Sequence, residues 1–171
     1  GSAHHGGLCE HAIVAAVGEV NIPSLDPFEI LDGVETVKRI SQPFKLGSRQ
    51  VHPENSVFPI DGFHVGGDDI VIIAGPCAVE SKSQILETAH AVREAGANAL
   101  RGGVFKPRTS PYAFQGLGEE GLEYLAEARE QTGMPIVVEI MSQVQLDLML
   151  KYVDVFQVGA RNMQNFNLLR M

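Results

Sequence analysis

Cys77, Arg101, Glu139 and Arg161 each close one of four successive strand-like runs. Strand ends in βα units gather on one rim, where α/β proteins collect their chemistry, so these four side chains are the first candidates for a site. A thiolate at a strand tip could bind a divalent transition metal with donors from elsewhere, and a lone cysteine could equally be a small buried apolar residue. Glu139 is the one acid in an otherwise apolar run, where an unpaired carboxylate is expensive, so it must meet a cation, a water or a substrate. An ion pair with an arginine of an adjacent strand would satisfy that need, and such a pair is compatible with a functional role. Arg161, within Gly159, Ala160, Arg161, Asn162, is open to the same two readings.

The connection after the second run, residues 102–118, far exceeds the usual length of about 2 to 6 residues for a βα loop, and long loops on that rim are mostly functional. Gly102 and Gly103 let backbone amides approach a ligand, and Pro107 and Pro111 stiffen the chain. Lys106, Arg108, Thr109 and Ser110 supply the donors that phosphate oxygens take. No acid occurs between Glu94 and Glu119, in a chain whose net charge is -8. This basic island of Arg101, Lys106 and Arg108 suits small anionic ligands, and a rigid surface loop with cations paired to acids elsewhere would have the same composition.

The elements that must position these residues follow from the pattern of apolar residues. From Asp69 onward strands and helices alternate. Residues 70–74 are a continuous apolar run, as in a parallel strand covered on both faces. Ser81 with Gln84 predicts a capping box for a helix through Ile85, Ala89 and Val92 that stops at Gly96. Residues 97–100 start a second strand. Residues 120–131 predict a helix with Leu122, Leu125 and Ala126 on one face, ended by Gly133 and Pro135. Residues 136–140 are the third strand, Ser142 and Gln145 repeat the capping signal, residues 153–158 are the fourth strand, and a last helix starts near Met163. Such alternation implies a parallel sheet, open or closed into a barrel. A closed (βα)8 barrel takes about 200 to 250 residues or more, so the stretch 68–171 is expected to be the first half of one, with an open four-stranded sheet as the alternative.

Ahead of it, residues 1–7 look like a tag or frayed end. Residues 8–46 are a small α+β piece: a β-branched run at 11–17, a short amphipathic stretch at 25–31 and an alternating, strand-like run at 34–40. That piece is too small to stand alone. Residues 47–67 form a connector rich in proline and glycine, with short extended pieces and a boundary near Gly66 and Gly67.

Composition narrows the function classes. The chain has 171 residues, 44% of them hydrophobic and 20% charged, enough for a sizeable core. No run approaches the roughly 18 to 20 apolar residues needed to cross a bilayer, and no secretory signal opens the sequence. The acidic balance argues against nucleic acid or a membrane surface as partner. Cys9 and Cys77 share no context, which fits a reducing cytoplasm better than a disulfide scaffold.

Taken together, Ile73, Ala74, Gly75, Pro76, Cys77, then Leu100, Arg101, Gly102, Gly103 with Lys106, Pro107, Arg108, Thr109, Ser110, Pro111, Tyr112, and finally Gly159, Ala160, Arg161, Asn162 strongly resemble the 3-deoxy-D-arabino-heptulosonate 7-phosphate (DAHP) synthases. The match runs roughly over residues 34–170. The resemblance implies a (βα)8 barrel that condenses phosphoenolpyruvate with erythrose 4-phosphate and releases phosphate, the first step of the shikimate route. It also implies that residues 8–46 are the rear half of a ferredoxin-like regulatory domain.

By the same resemblance, Cys77 is one of four ligands of a divalent metal such as Mn2+, Fe2+, Co2+ or Zn2+. Arg101, Lys106 and Arg161 hold phosphoenolpyruvate, Pro107, Arg108, Thr109 and Ser110 line the erythrose 4-phosphate site, and Ala160 is a further substrate-binding residue. Lys106 is the candidate proton donor, and Glu139 helps position a water. The family's other ligands, a His, a Glu and an Asp, belong to strands beyond Met171, so this polypeptide alone is expected to be inactive. Dimers or tetramers are the expected assemblies. Two rivals stand beside this reading: 3-deoxy-D-manno-octulosonate 8-phosphate synthase, whose counterpart loop reads Lys, Ala, Asn, Arg, Ser, Ser, and a non-catalytic regulatory or assembly fragment.

Overall fold

The computed structural model describes residues 14, 24–39, 47–49 and 52–171. The expected tag or frayed end at 1–7, Cys9, and the run 11–17 apart from Val14 lie outside the described residues. Two compact units divide the chain, Gly1–Glu54 and Asn55–Met171. In the first, helix α1 (Asp26–Glu29) starts with Pro27 in its first turn, where a missing N–H costs nothing. Residues 34–39, alternating in sequence, form no strand, because no ladder among the described residues includes them.

The second unit opens with an antiparallel hairpin, β1 (Phe58–Ile60) and β2 (Phe63–Val65), within the segment that the sequence places in the connector. The alternating elements follow: β3 (Ile73–Ala74), α2 (Lys82–Glu94), β4 (Ala99–Arg101), α3 (Glu119–Thr132), β5 (Ile136–Glu139), α4 (Leu146–Met149), β6 (Val155–Gln157) and α5 (Phe166–Leu169). The four strands form one parallel sheet in the order β3-β4-β5-β6. Sequential order without a switch point is the arrangement of a barrel wall, and the strands form a partial barrel of the (βα) type.

Local chemistry explains the helix boundaries. Ser81 Oγ accepts from Gln84 N at 3.2 Å, and the Gln84 amide oxygen reaches back to Glu80 N at 3.1 Å. The expected box therefore closes one residue earlier than its usual form. At Ser142 and Gln145 the reciprocal box is complete and opens a short 3-10 turn (Gln143–Gln145) ahead of α4. Gly133 ends α3 in the left-handed region at φ 69°, which a side chain would resist.

Residues two apart on a strand share a face, so β5 sorts its side chains cleanly. Ile136 and Val138 join Leu100, Ile85, Leu122, Leu125, Met134 and Met149 in the core between sheet and helices. Each large side chain buried there stabilises the fold by about 1.5 to 3 kcal/mol, and Leu122→Ala would cost about 2 to 5 kcal/mol. Val137 faces the other way. With Val155, Ile73 and hairpin residues Phe58, Ile60, Phe63 and Val65 it lines an apolar cavity of about 280 Å³. Two positions further along the same face stand Glu139 and Gln157, paired in register. One face of the sheet is thus apolar toward the hairpin and polar toward the strand ends.

Candidate active site

At the ends of β3 to β6 the strand tips and connecting segments line an open pocket of about 370 Å³, formed by Cys77, Lys106, Pro107, Arg108, Glu139, Gln157, Gly159, Ala160 and Arg161. Each member is held by its own backbone. Cys77 follows Gly75, whose φ of 149° and close approach to Arg101 leave no room for a side chain: a Cβ would stand 3.0 Å from Arg101 C and 3.1 Å from Arg101 N. Arg101 Nη1 donates to the Pro76 carbonyl at 2.8 Å, tying the end of β4 to the same turn.

The long loop is pinned at its base. Val79 N donates to Gly103 O at 3.0 Å, Gly118 N to Val104 O at 3.0 Å, and Lys106 N to Gln115 O at 2.8 Å. Val104 is fully buried and anchors the loop in the core. Gly103 leaves space for Lys106, whose Nζ lies 3.1 Å from where a Gly103 Cβ would be. Lys106 Nζ donates to the Cys77 carbonyl at 2.9 Å and contacts the Cys77 thiol at 3.3 Å. That hydrogen bond and the ammonium charge, with a smaller contribution from Arg101, hold the Cys77 thiol below its ordinary pKa. Cys77 is therefore an exposed, thiolate-favouring residue rather than a buried apolar one.

Arg161 sits in a 3-10 turn (Ala160–Asn162) fixed by its buried neighbour Asn162, whose Nδ2 donates to Met141 O at 3.2 Å. Its guanidinium crosses to the long loop, donating to Pro107 O at 2.9 Å. Among the described residues no ion pair joins Glu139 to Arg101 or Arg161, so the half-buried carboxylate faces the pocket without a cation in contact.

Three residues expected at the site stand outside this lining. Arg101 is engaged with Pro76 and adds its charge beside Cys77. Thr109 and Ser110 are exposed on the loop tip, where Ser110 Oγ accepts from Tyr112 N at 3.3 Å and Ser110 O accepts from Gln115 Nε2 at 3.1 Å. Gln157 lines the pocket without having stood out in sequence, and Gly159 lines it although it was singled out only as part of a motif and not as a site residue. Counting two and four residues along from Val155 on the inward face would have found both. Among the described residues there is no group of three His, Cys, Asp or Glu that could hold a metal, so Cys77 is a single candidate ligand and does not make a metal site with its neighbours.

Three clustered cations and one carboxylate around an open pocket can bind a multiply charged small anion and handle a proton or a water beside it. Comparison with known proteins points the same way. Residues 45–171 match the DAHP synthetase I family. The chain is 48% identical over 160 residues to the phospho-2-dehydro-3-deoxyheptonate aldolase of Thermotoga maritima, covering 94% of this chain and 47% of that protein. It is 42% identical over 96 residues to the 2-dehydro-3-deoxyphosphooctonate aldolase of Nitratidesulfovibrio vulgaris, covering 52% and 35% respectively. The crystal structure of the Thermotoga maritima aldolase superimposes with a TM-score of 0.70 at 49% identity, covering 84% of this chain and 41% of that one. The chain thus spans about half the length of the Thermotoga relative. A family match that takes in the sheet, the long loop and every pocket residue settles the affiliation: the chain belongs to the DAHP synthetase I family.

Proposed function

We propose that the protein condenses phosphoenolpyruvate with erythrose 4-phosphate to 3-deoxy-D-arabino-heptulosonate 7-phosphate and phosphate. The observation that carries this reading is the convergence of Lys106, Arg108 and Arg161 on one pocket with Glu139. Two anionic substrates must meet face to face, and a pair of unit charges about 4 Å apart near a protein surface repel by about 4 kcal/mol. Several fixed cations offset repulsion of that size and orient the reactants as well. Arg101, Lys106 and Arg161 bind phosphoenolpyruvate. Pro107, Arg108, Thr109 and Ser110 line the erythrose 4-phosphate site.

The enol carbon of phosphoenolpyruvate attacks the aldehyde carbon, and the aldehyde oxygen takes a proton, for which Lys106 is the donor. A water positioned by Glu139 adds to the resulting oxocarbenium-like carbon and gives up a proton. The hemiketal then expels phosphate and leaves the ketone. The resemblance implies a divalent metal, which would polarise the aldehyde as a Lewis acid; the described residues offer it Cys77 alone. Self-association into dimers or tetramers is proposed as well, on the resemblance alone. Residues 8–46 are proposed as part of a regulatory domain. A cytoplasmic location is proposed as well, and among the described residues no helix is long and apolar enough to cross a membrane.

The matches to 2-dehydro-3-deoxyphosphooctonate aldolases favour one second reading, arabinose 5-phosphate as acceptor. Phosphate release by the full gene product separates the two. Release from phosphoenolpyruvate is expected with erythrose 4-phosphate. Faster release with arabinose 5-phosphate supports the second reading, and none with either acceptor overturns both.

A further inference from the structure

Gly159 stands where β6 leaves the sheet, at φ -73° and ψ 162°. Any residue adopts that extended backbone, so its conformation gives no reason for a glycine. Space does. A Cβ on Gly159 would lie 2.9 Å from Glu139 Cδ and closer still to Oε1, so the carboxylate occupies the volume that any other residue would fill. The register explains the meeting. Glu139 pairs with Gln157, and Gly159 lies two residues beyond on the same face, diagonal to Glu139. Among the described residues no hydrogen bond or ion pair fixes the Glu139 carboxylate. The missing side chain at 159 is the notch that receives it.

We propose that Gly159 is a positioning residue: it seats the Glu139 carboxylate at the pocket wall so that the carboxylate can hold the reacting water. The water role rests on the function proposed above, whereas the seat itself does not. The obstacle to an alanine here is the far end of a flexible side chain, so Gly159→Ala is accommodated by moving the carboxylate and not the backbone. The consequence is a displaced carboxylate in a protein that remains folded.

The test uses the full-length protein. Gly159→Ala is expected to lower kcat by about ten- to a hundredfold, the scale of loss for a group misplaced by about 1 Å. KM for phosphoenolpyruvate and the thermal unfolding midpoint stay as in the wild type. In a Glu139→Ala background, where nothing is left to seat, adding Gly159→Ala should change kcat by less than about twofold, the usual limit of additivity error. Wild-type kcat in Gly159→Ala, or losses that multiply in the double variant, would overturn the proposal. So would unfolding of both Gly159→Ala and the double variant, which would mean that the backbone needs the glycine. A crystal structure of Gly159→Ala decides the seat even if the wild type condenses neither acceptor, an outcome that ends only the functional reading. A displaced carboxylate supports the seat, and an unmoved one refutes it.

Discussion

Lys106 Nζ stands 2.9 Å from the Cys77 carbonyl oxygen and 3.3 Å from the Cys77 sulfur, so one ammonium group bridges the backbone and the side chain of a residue on a different connection. The bridge joins the first strand end to the long loop and lowers the pKa of the thiol.

Lys106→Met removes both the hydrogen bond and the charge. The thiolate of Cys77, populated in the wild type at pH values below its ordinary range, should then form only at higher pH. Alkylation by iodoacetamide, followed at the Cys77 peptide by mass spectrometry across pH, should show its midpoint moved upward in the variant. Superimposable profiles would remove Lys106 as the cause.

Arg161 donates to the carbonyl of Pro107 across the pocket mouth, so it serves the loop as well as any anion bound there. Arg161→Ala should raise KM for phosphoenolpyruvate by about ten- to a hundredfold, the equivalent of losing a charged hydrogen bond worth about 1.5 to 3 kcal/mol. Arg161→Lys keeps the charge and loses the fork, so a partial recovery is expected. Steady-state kinetics of the full-length protein measure both, and an unchanged KM in Arg161→Ala would count against the assignment.

The barrel-like order of elements was legible because each strand and helix carries its own local signal. Ser142 with Gln145, and Gly133 with Pro135, mark real boundaries. Residues 34–39 show the limit: they alternate in sequence yet belong to no strand ladder among the described residues, and pairing is not a local property. Cys77, Lys106, Arg108, Glu139 and Arg161 were legible as a site because strand ends converge. Thr109 and Ser110 have the right chemistry, but the loop tip is occupied with its own hydrogen bonds through Tyr112 and Gln115. Gln157 went unnoticed and Gly159 was noted only as part of a motif, because an amide and a hydrogen carry no charge signal. Their importance comes from register with Glu139, which requires knowing which strands are neighbours.

At the opposite end of the sheet, Asp154 accepts from Ile136 N at 2.7 Å and from Arg129 Nη1 at 3.0 Å, while the same Nη1 donates to Tyr152 O at 2.9 Å. This clamp fixes the start of β6 against β5. Both side chains are about one-third exposed, so the ion pair itself contributes little, and the cost of Asp154→Ala comes mainly from the orphaned Ile136 N–H. A loss of about 1 to 3 kcal/mol is expected in urea unfolding, with an unchanged denaturant slope. Asp154→Asn keeps an acceptor for that N–H and should lose less. Equal losses in the two variants would show that charge, not the hydrogen bond, is what matters there.

Gly75 tests how the site depends on backbone spacing. An alanine there meets the Arg101 backbone, which cannot swing aside as a side chain can, and it must also hold φ at 149°. Gly75→Ala should therefore destabilise the protein by at least about 2 kcal/mol. Gly67→Ala, with nothing within 4 Å of its Cβ and no positive φ, should stay within about 0.5 kcal/mol of the wild type. Because the Gly75 turn carries Cys77 and also accepts the Arg101 guanidinium through Pro76, relief of the clash by separating β3 from β4 must also draw Cys77 away from Lys106. Slower alkylation of Cys77 near neutral pH should accompany the loss of stability. A destabilised variant whose thiol reacts as in the wild type would show that the rim tolerates strand separation, and that Cys77 and Lys106 are held together by the loop alone.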